Sequence, residues 1–532
     1  MKIENSSGLS FEFLDNGSVK HIEAPPIRIS LKSETIYSKA GANLFLRLKS
    51  DTIKYKALIG PESDSVFETT ENAFIAKGNW EGLEYSCMVQ LSAKSQSWQW
   101  TVNITNTTLN NVDCDIVYVQ DIGLKSITND LINEYYVSQY LERLIFHDQK
   151  FGAVICCRQN MRESSGNPWL MVSCKNMAIA GSTDGMQFYG KTYRETGIPE
   201  GLLYERLEGN CAGESSILAL QEKPFNLKAG SKHTSIFVAT YLPDHPDASS
   251  INDLKSLNTL FSEFNDISFE AVTSEMNAQG QNIFTASAFL LADDLTDTEL
   301  NQFFGKNKRH CEEENGFLLS FFSQQNNHVI LREKEIRVER PHGHIMQANE
   351  MYSPNEAIIS TTSFAFGVFN SHISQGNTNF NVLLSVCTSQ FNSAPEAGQR
   401  IFVEIDNQFY LLGVPSAFEM GLNHCRWIYK FKKHCFQVRT WTSKSSPVIN
   451  MDFKVISGDN VKLLITHDFD KLNGWEIMPG GVPGEYWAIP EKSSIIRTKF
   501  PEAQFRILIN KTTARHSAYM DEEHSSGDTI WK

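Results

Sequence analysis

The most informative local feature of the sequence is a polar segment between two apolar stretches, residues 371–381. Its later half carries an amide at every second residue: Gln375, Asn377, Asn379 and Asn381. If the backbone is extended, these amides project to one side, and each offers a hydrogen-bond donor and an acceptor together. That combination matches the vicinal hydroxyl groups of a sugar. The alternative is a hairpin loop whose asparagines bond to their own backbone, and the sequence leaves both interpretations open.

A second group of residues pairs aromatic rings with polar neighbours, and an indole face stacks well on the C–H face of a pyranose. The group contains Trp427 and Tyr429 after Arg426, Trp441 after Arg439, Trp475, and the dipeptide Tyr486-Trp487. Most tryptophans of a β-sandwich are core or half-buried packing residues. A packing role is therefore the alternative for each member of this group.

Two histidines that share one face of a strand, His342 and His344, could ligate a metal together with Glu350. They do not reach the four-ligand pattern of a structural zinc site, so we predict no metal. The sequence contains neither GxSxG nor HExxH, and no carboxylate stands in a setting that singles out a general acid. The residues alone therefore identify no catalytic residue.

Composition narrows the class of protein. Of 532 residues, 41% are apolar and 21% are charged, which is typical of a globular chain with ample core material. The net charge of −14 argues against nucleic acid or an anionic membrane as partner. No apolar run is as long as a membrane span, the first residues show no export signal, and the ten cysteines form no CxxC. We therefore expect a cytoplasmic protein with reduced cysteines.

Short alternating or apolar runs, separated by turn residues, fill most of the chain and predict a mainly β protein. We expect two consecutive antiparallel β-sandwich domains, at 1–250 and 316–510, with a mixed connecting segment at 251–315 and a polar tail at 511–532. Helical spacing of apolar residues predicts helices within 243–264 and at 296–304. Strands are expected at 98–104, 283–291 and 358–369.

Ten short motifs follow one another along the chain. They are Tyr136-Val-Ser-Gln-Tyr140, Cys157-Arg-Gln-Asn160, Asn167-Pro-Trp169, Ser182-Thr-Asp-Gly185, Arg340-Pro-His-Gly-His344, Phe366-Gly-Val-Phe-Asn-Ser-His372, Ser374-Gln-Gly376, Gly413-Val-Pro-Ser-Ala-Phe-Glu419, Cys425-Arg-Trp-Ile-Tyr429 and Phe500-Pro-Glu-Ala-Gln-Phe-Arg506. In this order they resemble the large bacterial phosphorylases of glycoside hydrolase family 94. The similarity is greatest to 1,2-β-oligoglucan phosphorylases and to the phosphorylase-like module of cyclic β-1,2-glucan synthases.

The resemblance implies supersandwich-like β domains that precede linker helices, an (α/α)6 barrel and a small jelly roll. In the family the barrel carries the catalytic aspartate and the phosphate site. One carboxylic acid protonates the glycosidic oxygen while inorganic phosphate, the co-substrate, attacks the anomeric carbon from the opposite face. No long block of amphipathic helices occurs in this sequence. We therefore expect the barrel to be absent from this chain, and no further cofactor.

The resemblance also implies that the β domains lend loops to a substrate channel or a dimer contact. Candidate substrate-binding residues in or beside the matching motifs are His372, Gln375, Asn377, Asn381, Glu419, Arg426 and Trp427. Each could equally have a structural role. In particular, Arg426 could pair with Glu419 inside the fold.

The expected partners are a β-glucan oligosaccharide, a barrel that is missing or lies on a separate polypeptide, and a second copy of the chain. The leading hypothesis is the carbohydrate-binding and assembly portion of a β-1,2-glucan phosphorylase-like protein. The alternatives are a stand-alone glucan-binding or scaffold protein without catalysis, and an autonomous β-sandwich glycosidase or lyase.

Overall fold

Strands dominate the computed structural model, which confirms a mainly β chain. The structure describes residues 1–39, 41–70, 73–127, 134–264, 274–277, 282–348, 358–376, 383–384, 391, 394–444, 446–469 and 474–509. Residues 1–193 with 198–285 form one compact unit, and residues 194–197 with 286–532 form a second. The predicted tail at 511–532 lies outside the described residues.

The described residues of the first unit form twenty strands. They are β1 (Lys2–Glu4), β2 (Ser10–Phe13), β3 (Val19–Ala24), β4 (Ile27–Arg28), β5 (Asn43–Lys49), β6 (Ile53–Ala57), β7 (Val66–Thr69), β8 (Ala73–Trp80), β9 (Leu83–Leu91), β10 (Ser97–Asn106), β11 (Val112–Asp121), β12 (Lys125–Ser126), β13 (Leu141–Asp148), β14 (Gly152–Gln159), β15 (Trp169–Cys174), β16 (Ala178–Asp184), β17 (Ser216–Glu222), β18 (Phe225–Leu227), β19 (Lys232–Leu242) and β20 (Ser274–Asn277).

These strands form two sheets. Five short strands pair in the order β1-β2-β3-β4-β12. The fifteen others make one large sheet in the order β20-β7-β8-β9-β10-β19-β15-β14-β16-β17-β11-β5-β6, with β13 beside β14 and β18 beside β11. Trp98, Trp100 and Val102 of β10 are buried on one face, as their spacing predicts. The ring of Phe11 from the small sheet packs edge-on against Trp98 at 5.4 Å, so the core lies between the two sheets.

Seventeen strands lie in the part of the second unit that the structure describes. They are β21 (Ala288–Leu290), β22 (Arg309–Glu314), β23 (Phe317–Phe322), β24 (His328–Leu331), β25 (Gly343–Gln347), β26 (Ile359–Phe364), β27 (Val368–Gln375), β28 (Gln399–Ile405), β29 (Gln408–Leu412), β30 (Ala417–Met420), β31 (His424–Phe431), β32 (His434–Thr442), β33 (Ile449–Ser457), β34 (Lys462–His467), β35 (Trp475–Pro479), β36 (Glu485–Pro490) and β37 (Phe505–Leu508). Its largest sheet has the order β22-β23-β24-β30-β31-β32-β33, and three smaller sheets have the orders β21-β29-β28-β34, β25-β26-β27 and β35-β36-β37.

The described helices are short, and α6 is the longest with eight residues. They are α1 (Glu134–Gln139), α2 (Gly185–Tyr189), α3 (Tyr193–Thr196), α4 (Leu257–Ser262), α5 (Ile283–Ala286), α6 (Asp297–Phe304), α7 (Arg332–Glu335) and α8 (Ile495–Lys499), with 3-10 turns at Glu200–Leu202 and Ile251–Ser256. Within the described part of the chain, no helix has the length and apolar character needed to cross a membrane.

Helix starts were predicted well where a side chain caps the first turn. Helix α6 begins after Thr296, which forms a capping box with Glu299, and the predicted helix at 296–304 is confirmed. The helical stretch within 243–264 begins after Ser250, which caps the 3-10 turn that leads into α4. Its apolar residues Leu257 and Leu260 are buried.

Two predicted strands are corrected by local geometry. Of the predicted strand 283–291, Ala288–Leu290 are extended as β21, which confirms that part. Residues 283–286 are helical instead, because the Asn282 side chain accepts the backbone N–H groups of Phe284 and Thr285 and starts a turn. The predicted strand 358–369 is a hairpin of β26 and β27 that turns at Gly367. This glycine has φ +89°, and a β-carbon there would overlap the carbonyl of Leu412.

Candidate functional site

The polar segment predicted to bind sugars begins inside strand β27. The structure describes the backbone of this strand as far as Gln375, but the side chain of Gln375 and residues Asn377 and Asn381 lie outside the described residues. The row of amides therefore stays a prediction. Earlier in the segment, Ser371 is buried and His372 is partly buried.

His372 is held in an unusual backbone conformation, with φ +48°. Its Nδ1 atom lies 2.8 Å from the hydroxyl oxygen of Ser371. Burial lowers the pKa of His372 to about 4, because the charged imidazolium would lose its hydration. The ring is therefore neutral at neutral pH.

A chain of polar side chains ties four strands together beside His372. The amide of Asn370 donates to Gln399 Oε1 at 2.6 Å, and Gln399 Nε2 lies 3.4 Å from His467 Nδ1. The Thr361 hydroxyl donates to Asn370 Oδ1 at 3.2 Å. Burial lowers the pKa of His467 to about 4. Because these bonds satisfy buried polar groups, this network gives Asn370 and its neighbours a structural role.

Trp427 lies in the core of the second unit, not at a binding edge. Its ring packs against Phe369 at 4.9 Å and Phe418 at 5.0 Å between centroids. Its Nε1–H donates to the carbonyl of Phe364 at 3.3 Å. The side chain is fully buried, so the suggestion that Trp427 stacks on a sugar is corrected. Since it follows Arg426 directly on β31, it points to the opposite face of the sheet.

Arg426 and Glu419 form an ion pair inside the second unit. Arg426 Nε donates to Glu419 Oε2 at 2.6 Å, and its Nη2 donates to the carbonyl of Phe303 at 3.1 Å. The other carboxylate oxygen of Glu419 accepts the Asn327 amide at 3.1 Å. Glu419 is buried and Arg426 is partly exposed. These charge-assisted bonds fix the guanidinium in one orientation.

The strand register extends this pair into a row of charges across four strands. Glu419 on β30 lies opposite Arg426 on β31, which lies opposite Arg439 on β32, which lies opposite Asp452 on β33. Arg439 Nη2 donates to Asp452 Oδ2 at 2.9 Å. Two like charges that face each other destabilise a sheet, but here each arginine has a carboxylate on its far side.

A second row lies two residues along the same face. His424 on β31 lies opposite Trp441 on β32, which lies opposite Asn450 on β33. The Arg439 guanidinium lies over the ring of Trp441, 4.3 Å from its centroid. Trp441, unlike Trp427, is only partly buried.

His424 lies at the end of this second row and is partly buried. A side chain at position 421 would overlap its ring, so Gly421 leaves the room that the imidazole occupies. Asn327 Nδ2 lies 3.5 Å from His424 Nε2. Burial lowers the pKa of His424, and the charges of Arg426 and Arg439 lower it further against the opposing effect of Glu419. The ring is uncharged at neutral pH, and because Nε2 accepts from the Asn327 amide, Nδ1 carries the proton.

Helix α6 covers the other half of this sheet face. Its residues Leu300 and Phe304 pack on Ile428 and Cys435, and Glu299 pairs with Lys430 at 3.0 Å. The remaining half, which we call the open face, consists of His424, Arg426, Arg439, Trp441, Asn450 and Asp452. Arg426 lies at its border with α6, because its guanidinium contacts the carbonyl of Phe303 and the ring of Phe304. The side chains of Arg439 and Asp452 are 44% and 41% exposed.

The open face combines planar polar groups with one aromatic ring on a rigid sheet. Such groups suit the hydroxyls and C–H surface of a neutral sugar. Sequence reasoning singled out Arg426, Arg439 and Trp441 for sugar binding but missed Asn450 and Asp452. The pairing of β31, β32 and β33 brings them together, and only alternation along each strand hinted at their common face.

The histidine pair 342 and 344 is arranged differently. His342 Nδ1 lies 2.6 Å from the buried carboxylate of Glu335, which also accepts the backbone N–H of His342. Glu350, the third ligand considered, lies outside the described residues. Among the residues that are described, no group of three His, Cys, Asp or Glu side chains is placed to hold a metal ion.

Two protein families match the chain in order. The family described as SOGP N-terminal domain matches residues 12–238, and the family described as glycoside phosphorylase supersandwich domain matches residues 306–529. The chain carries an SOGP N-terminal domain followed by a glycoside phosphorylase supersandwich domain. A 1,2-beta-oligoglucan phosphorylase from Listeria innocua serovar 6a is 25% identical over 516 residues, which cover 95% of this chain and 45% of that protein. The chain thus spans about half the length of this curated relative.

Solved structures resemble the chain only weakly. A polysaccharide lyase has a TM-score of 0.29 at 6% identity, and its alignment covers 84% of this chain and 46% of the lyase. A bacterial glucoamylase complexed with acarbose has a TM-score of 0.29 at 9% identity, with coverages of 48% and 34%. A galactose mutarotase-like protein from Lactobacillus casei has a TM-score of 0.26 at 8% identity, with coverages of 46% and 99%. Scores at this level do not establish a shared fold.

Motif residues of the SOGP N-terminal domain have structural partners. Arg158 donates from Nε to the carbonyl of His245 at 2.7 Å. The indole of Trp169 stacks on the His245 ring at 4.8 Å and donates to the Ser249 hydroxyl at 3.0 Å. These residues hold the segment after β19 against β14 and β15. These two motif residues therefore have a structural role in this domain.

Proposed function

We propose that the chain is the amino-terminal carbohydrate-binding and assembly portion of a β-1,2-glucan phosphorylase-like protein of family 94, acting in the bacterial cytoplasm. The observation that carries this proposal is the alignment of 95% of the chain with a 1,2-beta-oligoglucan phosphorylase. The order of the two matching families supports it. The ligand is a β-glucan oligosaccharide.

The proposal places the chemistry on an (α/α)6 barrel outside this chain. The longest described helix has eight residues, too short for a barrel helix that spans a domain. Inverting phosphorolysis needs one general acid and a cluster of cationic or hydroxyl groups that holds the phosphate dianion. On the open face, both arginines are already engaged by carboxylates. Inorganic phosphate is then the co-substrate of the complete enzyme, not a ligand of this face.

A phosphorylase assay tests where the catalysis resides. We expect no phosphate release when the purified chain is given α-glucose 1-phosphate and a short β-1,2-linked gluco-oligosaccharide. Release is expected once a helical polypeptide corresponding to the rest of the curated relative is added. Turnover by the chain alone would contradict the proposal and would direct attention back to its own carboxylates.

The second candidate is a stand-alone glucan-binding or scaffold protein. The open face favours this second candidate, because its planar polar groups are able to contact a glucan directly, without any part of the barrel. This candidate predicts glucan binding with no phosphate release, whether or not the helical polypeptide is added.

We also propose that the chain forms a homodimer. Sedimentation of the chain over a range of concentrations distinguishes this homodimer from a monomer.

A further inference from the structure

We propose that the open face is a non-catalytic anchoring site for a neutral β-linked glucan chain. The choice of glucan as ligand rests on the proposed function, whereas the location rests on the geometry of strands β31, β32 and β33. The site is distinct from the polar segment at 371–381, which belongs to another sheet.

The layout of the open face suits an extended ligand. Its six side chains form two rows of three, one with His424, Trp441 and Asn450 and the other with Arg426, Arg439 and Asp452. Neighbouring strands are about 4.8 Å apart, so each row spans roughly 10 Å. The rows are offset by two residues, or about 7 Å along the strands. A surface of this size accommodates more than one sugar ring.

The charges of the open face favour a neutral ligand over an anion. Arg426 is neutralised by Glu419, and Arg439 by Asp452. Neither pair leaves an uncompensated positive charge, so phosphate or a uronic acid gains little Coulomb energy here. The same groups present donors and acceptors at fixed positions, which vicinal hydroxyls can bridge. The neutral imidazole of His424 adds one donor, since its Nε2 already faces the Asn327 amide.

The side chains of the open face are held in place before a ligand arrives. The Arg439 guanidinium is bonded to Asp452 and lies over Trp441, which limits the motion of all three groups. The opposite side of the sheet is the core around Trp427. A site on rigid strands loses little conformational entropy on binding.

A matched control exists elsewhere in the second unit. On the sheet of β35, β36 and β37, Arg506 pairs with Glu485 at 2.5 Å and lies 5.9 Å from the ring of Trp487. This trio repeats the carboxylate, arginine and tryptophan of the open face. Its neighbours on the same face include the exposed apolar residues Met478 and Leu508, so it lacks the surrounding amide and imidazole.

Calorimetric titration of the whole chain with a soluble β-1,2-gluco-oligosaccharide tests the proposal. Trp441→Ala should weaken binding at least about tenfold, as expected for an aromatic anchor, and Asn450→Ala should weaken it by a smaller factor. Trp487 is the competing aromatic candidate on the other sheet, and Trp487→Ala should leave affinity unchanged. A loss of affinity with Trp487→Ala and not with Trp441→Ala would overturn the proposal. Circular dichroism and the thermal midpoint of each variant establish that it remains folded, and Asn450→Ala keeps the test open if Trp441→Ala unfolds.

The possible failures are distinguishable. If the wild-type chain does not bind the oligosaccharide, the ligand class of the proposed function is wrong, and the anchoring site is overturned with it. If the wild-type chain binds but Trp441→Ala and Asn450→Ala bind equally well, the proposed function stands and the open face is not the site. Displacement of the oligosaccharide by millimolar inorganic phosphate would also overturn the proposal, because it would reveal an anion site.

Discussion

Replacement of Asp115 by alanine should lower the free energy of unfolding of the first unit by about 3–5 kcal/mol. Arg47 Nε and Nη2 donate to the two oxygens of Asp115 at 2.7 and 2.6 Å, and both side chains are 0% exposed. Arg47 also donates to the carbonyl of Tyr204 at 2.6 Å, and Gln221 donates to Asp115 at 2.9 Å. Without Asp115 the guanidinium stays buried with no compensating charge, which is the origin of the expected loss.

Urea unfolding of the whole chain measures this loss, and hydrogen exchange of β5 and β11 assigns the transition to the first unit. The matched control is Glu81→Ala, which removes the partner of Lys54 from a surface pair whose side chains are 56% and 45% exposed. We expect that change to cost less than about 1 kcal/mol. Similar losses for Asp115→Ala and Glu81→Ala would show that the buried pair is not a major source of stability.

The Arg47–Asp115 pair illustrates what the sequence could not predict. Its members are 68 residues apart, and they meet because β5 pairs with β11 in a register that places Arg47 opposite Asp115. Strand positions follow from local alternation, so the strand at 98–104 was predicted correctly. The partner and register of each strand depend on contacts between distant segments, and no local pattern encodes them.

In the candidate site, too, local spacing predicts which face of a strand a side chain lies on but not which strands are paired. On β31 Arg426 and Trp427 are adjacent, so one must point outward and the other inward. On β32 Arg439 and Trp441 are two apart, so they share a face. The spacing between arginine and tryptophan therefore distinguishes Trp427, which lies in the core, from Trp441, which lies beside the exposed Arg439. The residue types alone, an arginine followed by a tryptophan, are the same in both places. Asp452 and Asn450 complete the open face. Their position there follows only from the pairing of β32 with β33.

Acidification should destabilise the second unit between about pH 6.5 and pH 4. Burial lowers the pKa of His372 and of His467 to about 4 in the folded chain, against about 6.5 in an unfolded chain. Between these values the unfolded state binds more protons, so stability that is complete above pH 6.5 is lost as the pH falls. The loss reaches at most about 3 kcal/mol for each histidine. Glu195 acts in the opposite direction, because burial raises its pKa.

Hydrogen exchange of β27 and β34 in the whole chain, measured from pH 7 to pH 4 and corrected for the intrinsic exchange rate, follows this loss. His467→Gln keeps a hydrogen-bonding group beside Gln399 but cannot titrate, so its opening free energy should depend less steeply on pH. The control is His310→Gln, because His310 is exposed on β22 and its loss should leave the pH dependence unchanged. Equal pH dependence in the wild-type chain and His467→Gln would mean that other groups set the acid limit. Because β27 and β34 contribute Asn370 and His467 to the polar network, loss of their protection at low pH would show that this network opens in acid.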